Sequence, residues 1–322
     1  MRITELISEH AMVVQKAEQP SPRGIAFTFN NFGQTIQPGH GFGGEWLLRL
    51  GFDLVAFKTE DDAWWQNLTE AQLNHIRNSS ERDIAGNPYP LRFSYASSMG
   101  AYGAILFADR FNVQKAIALS PQYDIRTAHD TRWSAQAASI QFVHEIDRTD
   151  LSACRVYVFY DPHNTDAWHA DHIARIAPDC VLVKLPFAGH PVGHFLQQAG
   201  VLQDAIQAVI TNDTDDALWR ILSRSKLRAK RRASAQYFWS LADRALVAKR
   251  YGLALALIDR AIALAPAVPD FYLTRSVVLE HAREWDRAIE SVHSALPLLN
   301  DTTYANERLA YLTACKERHS QG

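Results

Sequence analysis

Cysteine is scarce in this chain, with Cys154, Cys180 and Cys315 the only three in 322 residues. They are odd in number, far apart and never spaced as Cys-x-x-Cys. That pattern argues against a disulfide framework or a thiolate zinc site and points to a reducing compartment. Long apolar runs are also missing. No stretch approaches the roughly 20 residues of a membrane-spanning helix. The opening Met1-Arg-Ile-Thr-Glu-Leu lacks the continuous apolar core of a signal peptide, so a cytoplasmic location is expected. Neither sign of charge is in excess. With 33 Lys and Arg against 35 Asp and Glu, the net charge of −2 offers no general reason to bind nucleic acid or an anionic membrane. What is present is 47% hydrophobic and 21% charged residues over a length that suits two domains.

Up to about residue 212 short β-rich runs alternate with helical patterns. Strands are expected at 25–31, 52–58, 91–96, 115–120, 155–161 and 180–187. They are nearly continuous apolar runs, as parallel strands covered on both faces require. Helical periodicity falls at 43–50, 67–78, 100–110, 133–147, 167–177 and 194–210. The alternation predicts an α/β domain, a mainly parallel sheet flanked by helices, over residues 1–212. The stretch 121–150 exceeds what a crossover needs and is expected to form a small lid.

A basic segment, 213–232, separates this region from the next. Leu218 to Arg232 carries seven cations and no acid, a pattern that fits a solvated junction better than a phosphate-binding or membrane-surface helix. From 233 to 322 only helical patterns remain, and they repeat at a spacing of 34. Tyr251, Ala254, Ile258 and Ala261 recur as Trp285, Ala288, Val292 and Ala295, while Phe238 and Ala242 recur as Tyr272 and Ser276. Pro266 closes the first unit, with Asn300 at the equivalent place in the second. This resembles the tetratricopeptide repeat, here as two units and a final helix at 302–317. The alternative is an unrelated helical bundle.

The chemistry centres on Ser98, in Arg92-Phe-Ser-Tyr-Ala-Ser-Ser98-Met-Gly-Ala, where an extended apolar segment meets a small-residue turn and then a helix pattern. Serine becomes a competent nucleophile when a base takes its proton. Histidine suits that task near neutrality, and a carboxylate fixes its tautomer and stabilises the imidazolium. Asp166 and His190 follow at the ends of later strands, where the loops of an open α/β sheet converge. The acid has two candidates. Asp161 ends a strand before Pro162, and Asp166 precedes a helix pattern that it would otherwise simply cap.

On these residues the first 212 positions resemble a compact α/β-hydrolase domain. Its Gly-x-Ser-x-Gly elbow reads here as Ala96-Ser97-Ser98-Met99-Gly100, with alanine replacing the first glycine. Ser97 is a rival in position, but only Ser98 keeps the glycine two residues on. The family's histidine maps to Gly189-His190, with His194 as the competing position. The resemblance implies an oxyanion hole from the Met99 N–H and a donor after the first predicted strand, at Asn31 or Phe32 in Asn30-Asn-Phe-Gly33. The function it implies is a serine hydrolase acting on an ester, thioester or related acyl substrate, with no metal and no organic cofactor. Acyl transfer by the same triad and a non-catalytic scaffold working through the repeats are the alternatives. A small-molecule acyl substrate and a protein partner, or self-association, at the repeats are the expected partners.

Three other patterns are ambiguous. His163, Asp166, His169, Asp171 and His172 are close in sequence but lack a recognised metal-ligand spacing. Trp64-Trp65-Gln66, Tyr123 and Trp133 fit either an acyl pocket or ordinary core. Pro38-Gly-His-Gly-Phe-Gly-Gly44 matches no phosphate-binding loop and reads as a flexible rim.

Overall fold

The computed structural model describes residues 1–9 and 11–320, without the side chains of Arg224, Ser225 and Ser320. Its contacts divide it into two compact units, each treated separately below: Met1–Pro186, His190–Gly193 and Ile206–Leu218, and then Phe187–Gly189, His194–Ala205 and Trp219–Gly322.

The first unit is built on one eight-stranded sheet. Its strands are β1 (Arg2–Glu9), β2 (Met12–Glu18), β3 (Ile25–Phe29), β4 (Asp53–Thr59), β5 (Arg92–Ser97), β6 (Lys115–Leu119), β7 (Arg155–Tyr160) and β8 (Cys180–Lys184). They lie in the order β1-β2-β4-β3-β5-β6-β7-β8. All pairings from β3 to β8 are parallel, and those of β1 with β2 and β2 with β4 are antiparallel. Every residue of β3, β4 and β5 is buried, the polar Asp53, Lys58 and Arg92 included, as strands covered on both faces require.

The connections place β4 on one side of β3 and β5 on the other, so the chain reverses its direction of travel across the sheet there. The loops leaving β3 and β5 diverge at that point and open a crevice at the carboxyl edge. The hairpin β1–β2 was not among the expected strands. β1 is an edge strand that exposes most of its side chains, so its sequence never forms an apolar run.

Helices α1 (Gly44–Arg49), α2 (Glu70–Ser79) and α3 (Met99–Leu106) form close to their expected places. Thr69 and Gln72 close a reciprocal capping box at the start of α2. The expected helix at 133–147 is instead a 3₁₀ turn (Thr131–Trp133), a short α4 (Ser134–Ser139), extended chain and a second 3₁₀ turn (Ile146–Arg148). No residue of α4 is fully buried, and it stops at Ile140 in extended conformation. Helix α5 (Asp166–Ile176) follows β7. The pattern at 194–210 divides into α6 (Val192–Gln198) and α7 (Leu202–Thr211), because Gly200 takes φ +62° and ends the first helix.

The chain continues through α8 (Asp216–Ile221) and α9 (Arg224–Lys230). The described cations of the basic segment are mostly exposed. Then come α10 (Ala235–Val247), α11 (Tyr251–Leu264), α12 (Pro269–His281), α13 (Trp285–Ala295) and α14 (Thr303–Ser320). The repeat is visible in backbone detail. Lys249 and Arg283, equivalent positions, end α10 and α12 with φ of +57° and +61°. The next N–H in each case reaches back to Ala245 O or Leu279 O at 2.8 and 2.9 Å. Ala254, Ile258 and Ala261 and their counterparts Ala288, Val292 and Ala295 are fully buried. Among the described residues no helix is long and apolar enough to cross a membrane.

Helix α3 packs unusually close to the end of β3. A Cβ at Gly100 would lie 2.4 Å from Phe29 O and 2.8 Å from Asn30 O, so only glycine fits there. Gly100→Ala is expected to lower stability by about 3 kcal/mol, by forcing the backbones apart. Gly252→Ala, in α11 with no atom near the added methyl, is expected to raise it by about 0.5 kcal/mol. Calorimetric unfolding of both variants checks this pair. Equal effects would refute the packing argument.

Candidate active site

Ser98 stands between β5 and α3 with φ 51° and ψ −125°, a backbone region that non-glycine residues occupy only under constraint. The constraint is identifiable. Its N–H donates to Leu119 O at 2.8 Å, tying the turn to the end of β6, while Gly100 lets α3 begin against β3. Ala96, in place of the first elbow glycine, is completely buried between Phe29 and Ala118 in register, so a methyl group is accommodated. Ser97 is a β5 residue whose buried hydroxyl has no hydrogen-bond partner. The Met99 N–H opens α3, where the first N–H groups of a helix lack intrahelical acceptors.

His190 lies beyond β8, just before α6, and its Nε2 is 3.0 Å from Ser98 Oγ. Its Nδ1 lies 3.0 and 2.9 Å from the two carboxylate oxygens of Asp166. A carboxylate only accepts, so Nδ1 carries the proton and Nε2 is left to accept from the serine hydroxyl. The residue after next is anchored too, since Val192 N–H donates to Ser120 Oγ at 3.1 Å. Asp166 opens α5 without capping it, because its carboxylate turns to His190. The structure brings Asp166, not Asp161, to the histidine. Asp161 Oδ1 accepts the His163 N–H at 3.0 Å, the turn role open to it from its position before Pro162. His194 is exposed on α6.

Burial opposes ionisation of Asp166, but the charges of His190 and Arg132 and their hydrogen bonds outweigh it and hold the carboxyl at about 2. Arg132 belongs to the 121–150 insertion. Its Nη2 donates to Asp166 Oδ1 at 2.8 Å and to Asp130 Oδ2 at 2.6 Å, and its Nε reaches Asp130 Oδ1 at 2.8 Å. Asp130 also receives His169 Nε2 at 3.1 Å. Gln122, completely buried after β6, donates to Ser98 Oγ at 3.3 Å and accepts from Trp64 Nε1 at 3.3 Å.

None of Gln122, Asp130 and Arg132 was foreseen. Gln122 had a faint signal, its place just beyond a strand at the carboxyl edge. An arginine in an irregular insertion has none, since its partners are set only by folding.

The ambiguous patterns separate. His169 turns to Asp130 and Tyr123, and His172 Nδ1 donates to Trp168 O at 2.7 Å. Among the described residues no three His, Cys, Asp or Glu side chains are grouped to hold a metal. Trp65 is core, donating to Met99 O at 3.0 Å. Phe32, Trp64 and Trp133 form a mutually contacting aromatic wall with centroids 5.0 to 5.8 Å apart, and Trp133 lies 6.3 Å from the His190 ring. The Asn31 N–H is taken by Gln34 Oε1 at 3.1 Å. The glycine-rich rim, through Pro38 to Phe42, lines a cleft of about 520 Å³ together with Asn30, Gly33 and Lys58.

No family model matches the sequence, and no curated protein matches it. Among solved structures the chain is similar to the capsule O-acetyltransferase of Neisseria meningitidis serogroup A, at 13% identity over 65% of this chain and 94% of that one, with a TM-score of 0.45. It is also similar to Est1E from Butyrivibrio proteoclasticus, at 11% identity over 64% and 98% of the two chains, with a TM-score of 0.42. A third likeness is acetyl xylan esterase 1 from Thermoanaerobacterium sp. JW/SL YS485, at 9% identity over 54% and 72%, with a TM-score of 0.37.

The lowered folded-state pKa of Asp166 links the site to stability. A carboxyl held at about 2 against an ordinary 3.8 adds stability above pH 4 that is lost as pH falls through 2. The contribution is about 2 kcal/mol for this buried group. Urea unfolding between pH 5 and 2 should therefore show a shallower acid decline in Asp166→Asn than in the wild type. Parallel declines would contradict the assignment.

Proposed function

We propose that this protein is a serine hydrolase that acts on an ester, thioester or related acyl compound through Ser98, His190 and Asp166. The observation that carries the reading is the continuous set of hydrogen bonds from Ser98 Oγ through His190 to Asp166, with the serine on a constrained strand-to-helix turn. His190 Nε2 takes the hydroxyl proton as Ser98 Oγ attacks the acyl carbon. The imidazolium so formed keeps its Nδ1–H on Asp166, then returns the other proton to the leaving alkoxide or thiolate. An acyl-enzyme results, and water activated by the same histidine cleaves it.

The negative oxygen formed in each addition step is held by the Met99 N–H and by the loop after β3. Asn31 offers its N–H there if the oxyanion displaces the exposed Gln34 side chain, and Phe32 is the adjacent donor. Phe32, Trp64 and Trp133 wall the acyl site.

The same wall favours a second reading, transfer of the acyl group to an alcohol. Ser98 is 5% exposed and Asp166 1%, so the groups that react are largely shielded from bulk water. Measuring alcoholysis against hydrolysis of one activated ester, with glycerol as acceptor, separates the two readings. We read the α10–α14 region as tetratricopeptide-like, on its matching helix starts and ends, and assign it protein binding or self-association.

A fluorophosphonate probe should label the wild type and leave Ser98→Ala unlabelled. Asp166→Asn should slow labelling by up to about 10⁴-fold, because the wrong histidine tautomer is then favoured. A folded wild type that stays unlabelled, beside a labelled control hydrolase, would overturn the enzyme reading.

A further inference from the structure

The buried charges around Asp166 form a chain that the proposed reaction does not by itself require. From the 121–150 insertion come Asp130 and Arg132, from α5 Asp166 and His169, and from the loop beyond β8 His190. Asp130 and Asp166 are each 1% exposed, and His169 is fully buried. Hydrogen bonding fixes the state of His169. Tyr123 N–H donates to its Nδ1 at 3.1 Å, so Nδ1 has no proton and the ring is neutral, donating through Nε2 to Asp130. Arg132 grips Asp130 through two bonds, Nε to Oδ1 and Nη2 to Oδ2, but Asp166 through Nη2 alone. The guanidinium thus gives most of its hydrogen bonds to Asp130, while its charge faces both carboxylates. Asp166 keeps a negative charge for the imidazolium that forms on His190.

We propose that Asp130 and Arg132 act as an electrically compensated clamp, positioning residues that hold Asp166 toward His190 without neutralising it. The proposal rests on the triad reading above. Arg132 alone would fix the carboxylate in place but draw its charge away from the histidine. Asp130 cancels that cost, leaving orientation without loss of basicity. His169 in turn holds Asp130, and both are tied to the insertion through Tyr123. The charge states of the two residues agree with this geometry. Ionisation of Asp130 is favoured, since His169 and Arg132 outweigh its burial and keep it below the ordinary carboxylate range. Arg132 is held in its charged form, since its two carboxylates outweigh the effect of burial. Asp161, a further carboxylate beyond β7, is engaged with the His163 N–H.

The clamp makes a prediction that simple structural support does not. The rate of fluorophosphonate labelling, followed against pH, needs no knowledge of the substrate, and its acid limb reports protonation of the His190–Asp166 pair. Arg132→Met removes the competing cation, so the acid limb should move up by about one pH unit. Asp130→Asn leaves Arg132 uncompensated, so the limb should move down by a similar amount. The double variant should return near the wild-type position, with a lower plateau rate because Asp166 is no longer held. Arg132→Lys keeps the charge without the fork, and should lower the plateau with little movement of the limb.

The downfield proton resonance of His190 Nδ1–H, followed by NMR over the same pH range, provides a second reading independent of labelling. It applies to any folded variant. Opposite movements of the limb for Arg132→Met and Asp130→Asn support the clamp. Unmoved limbs in variants that fold and label overturn it while leaving the triad standing. A wild type that is not labelled at Ser98 overturns both.

Discussion

A carboxylate shut away from water is tolerable in a protein only when charge and hydrogen bonds replace the lost hydration, and Asp166 is such a group. Its two oxygens are engaged by the His190 ring on one side and by Arg132 on the other. Those two partners come from distant parts of the chain, the loop after β8 and the insertion after β6. Bringing them together closes the carboxyl edge of the sheet around Ser98. The geometry of the site therefore depends on this one satisfied charge more than on any single apolar contact.

The sheet supplies the frame. Because β4 and β5 lie on opposite sides of β3, the loops that leave β3 and β5 part from one another at the carboxyl edge. Gly100 then allows α3 to start within contact of β3, which holds the Ser98 turn in its constrained conformation. The turn is tied down on its other flank by Leu119 O. Close packing on both sides supplies the energy that keeps a serine at a positive φ, of order 1–3 kcal/mol. The conformation of Ser98 is thereby linked to packing at neighbouring positions.

The helical unit rests on a different principle. Small residues at equivalent places in α11 and α13 let neighbouring helices approach, and left-handed residues at Lys249 and Arg283 end the preceding helices in the same way. Each pair repeats both the buried register and the hydrogen bonds of its end, so local sequence suffices to build it.

Much of this was legible in the order of residues alone. Six parallel strands, the place of Ser98 after one of them and of His190 after the last, and the 34-residue period all follow from periodicities of two, 3.6 and the repeat. These are local signals, and they carry over because covered strands and paired helices impose them directly. The edge strand β1 escaped because its exposed residues leave no apolar run. The helix expected at 133–147 broke up because α4 has no fully buried residue and the chain turns extended at Ile140.

The choice of Asp166 over Asp161 at the histidine, the single-sided hold of Gln122 on Ser98, and the clamp of Asp130 and Arg132 lie outside any local signal. Each depends on where a side chain from one loop finds a charge or a lone pair from another. Residues 34 and 24 positions from Asp166 become its neighbours only through the tertiary fold. The one-dimensional order of this protein thus determined its elements and the topological seats of Ser98 and His190. Only the folded chain, by satisfying buried charge across loops distant in sequence, decided which carboxylate completes the set and what holds it there.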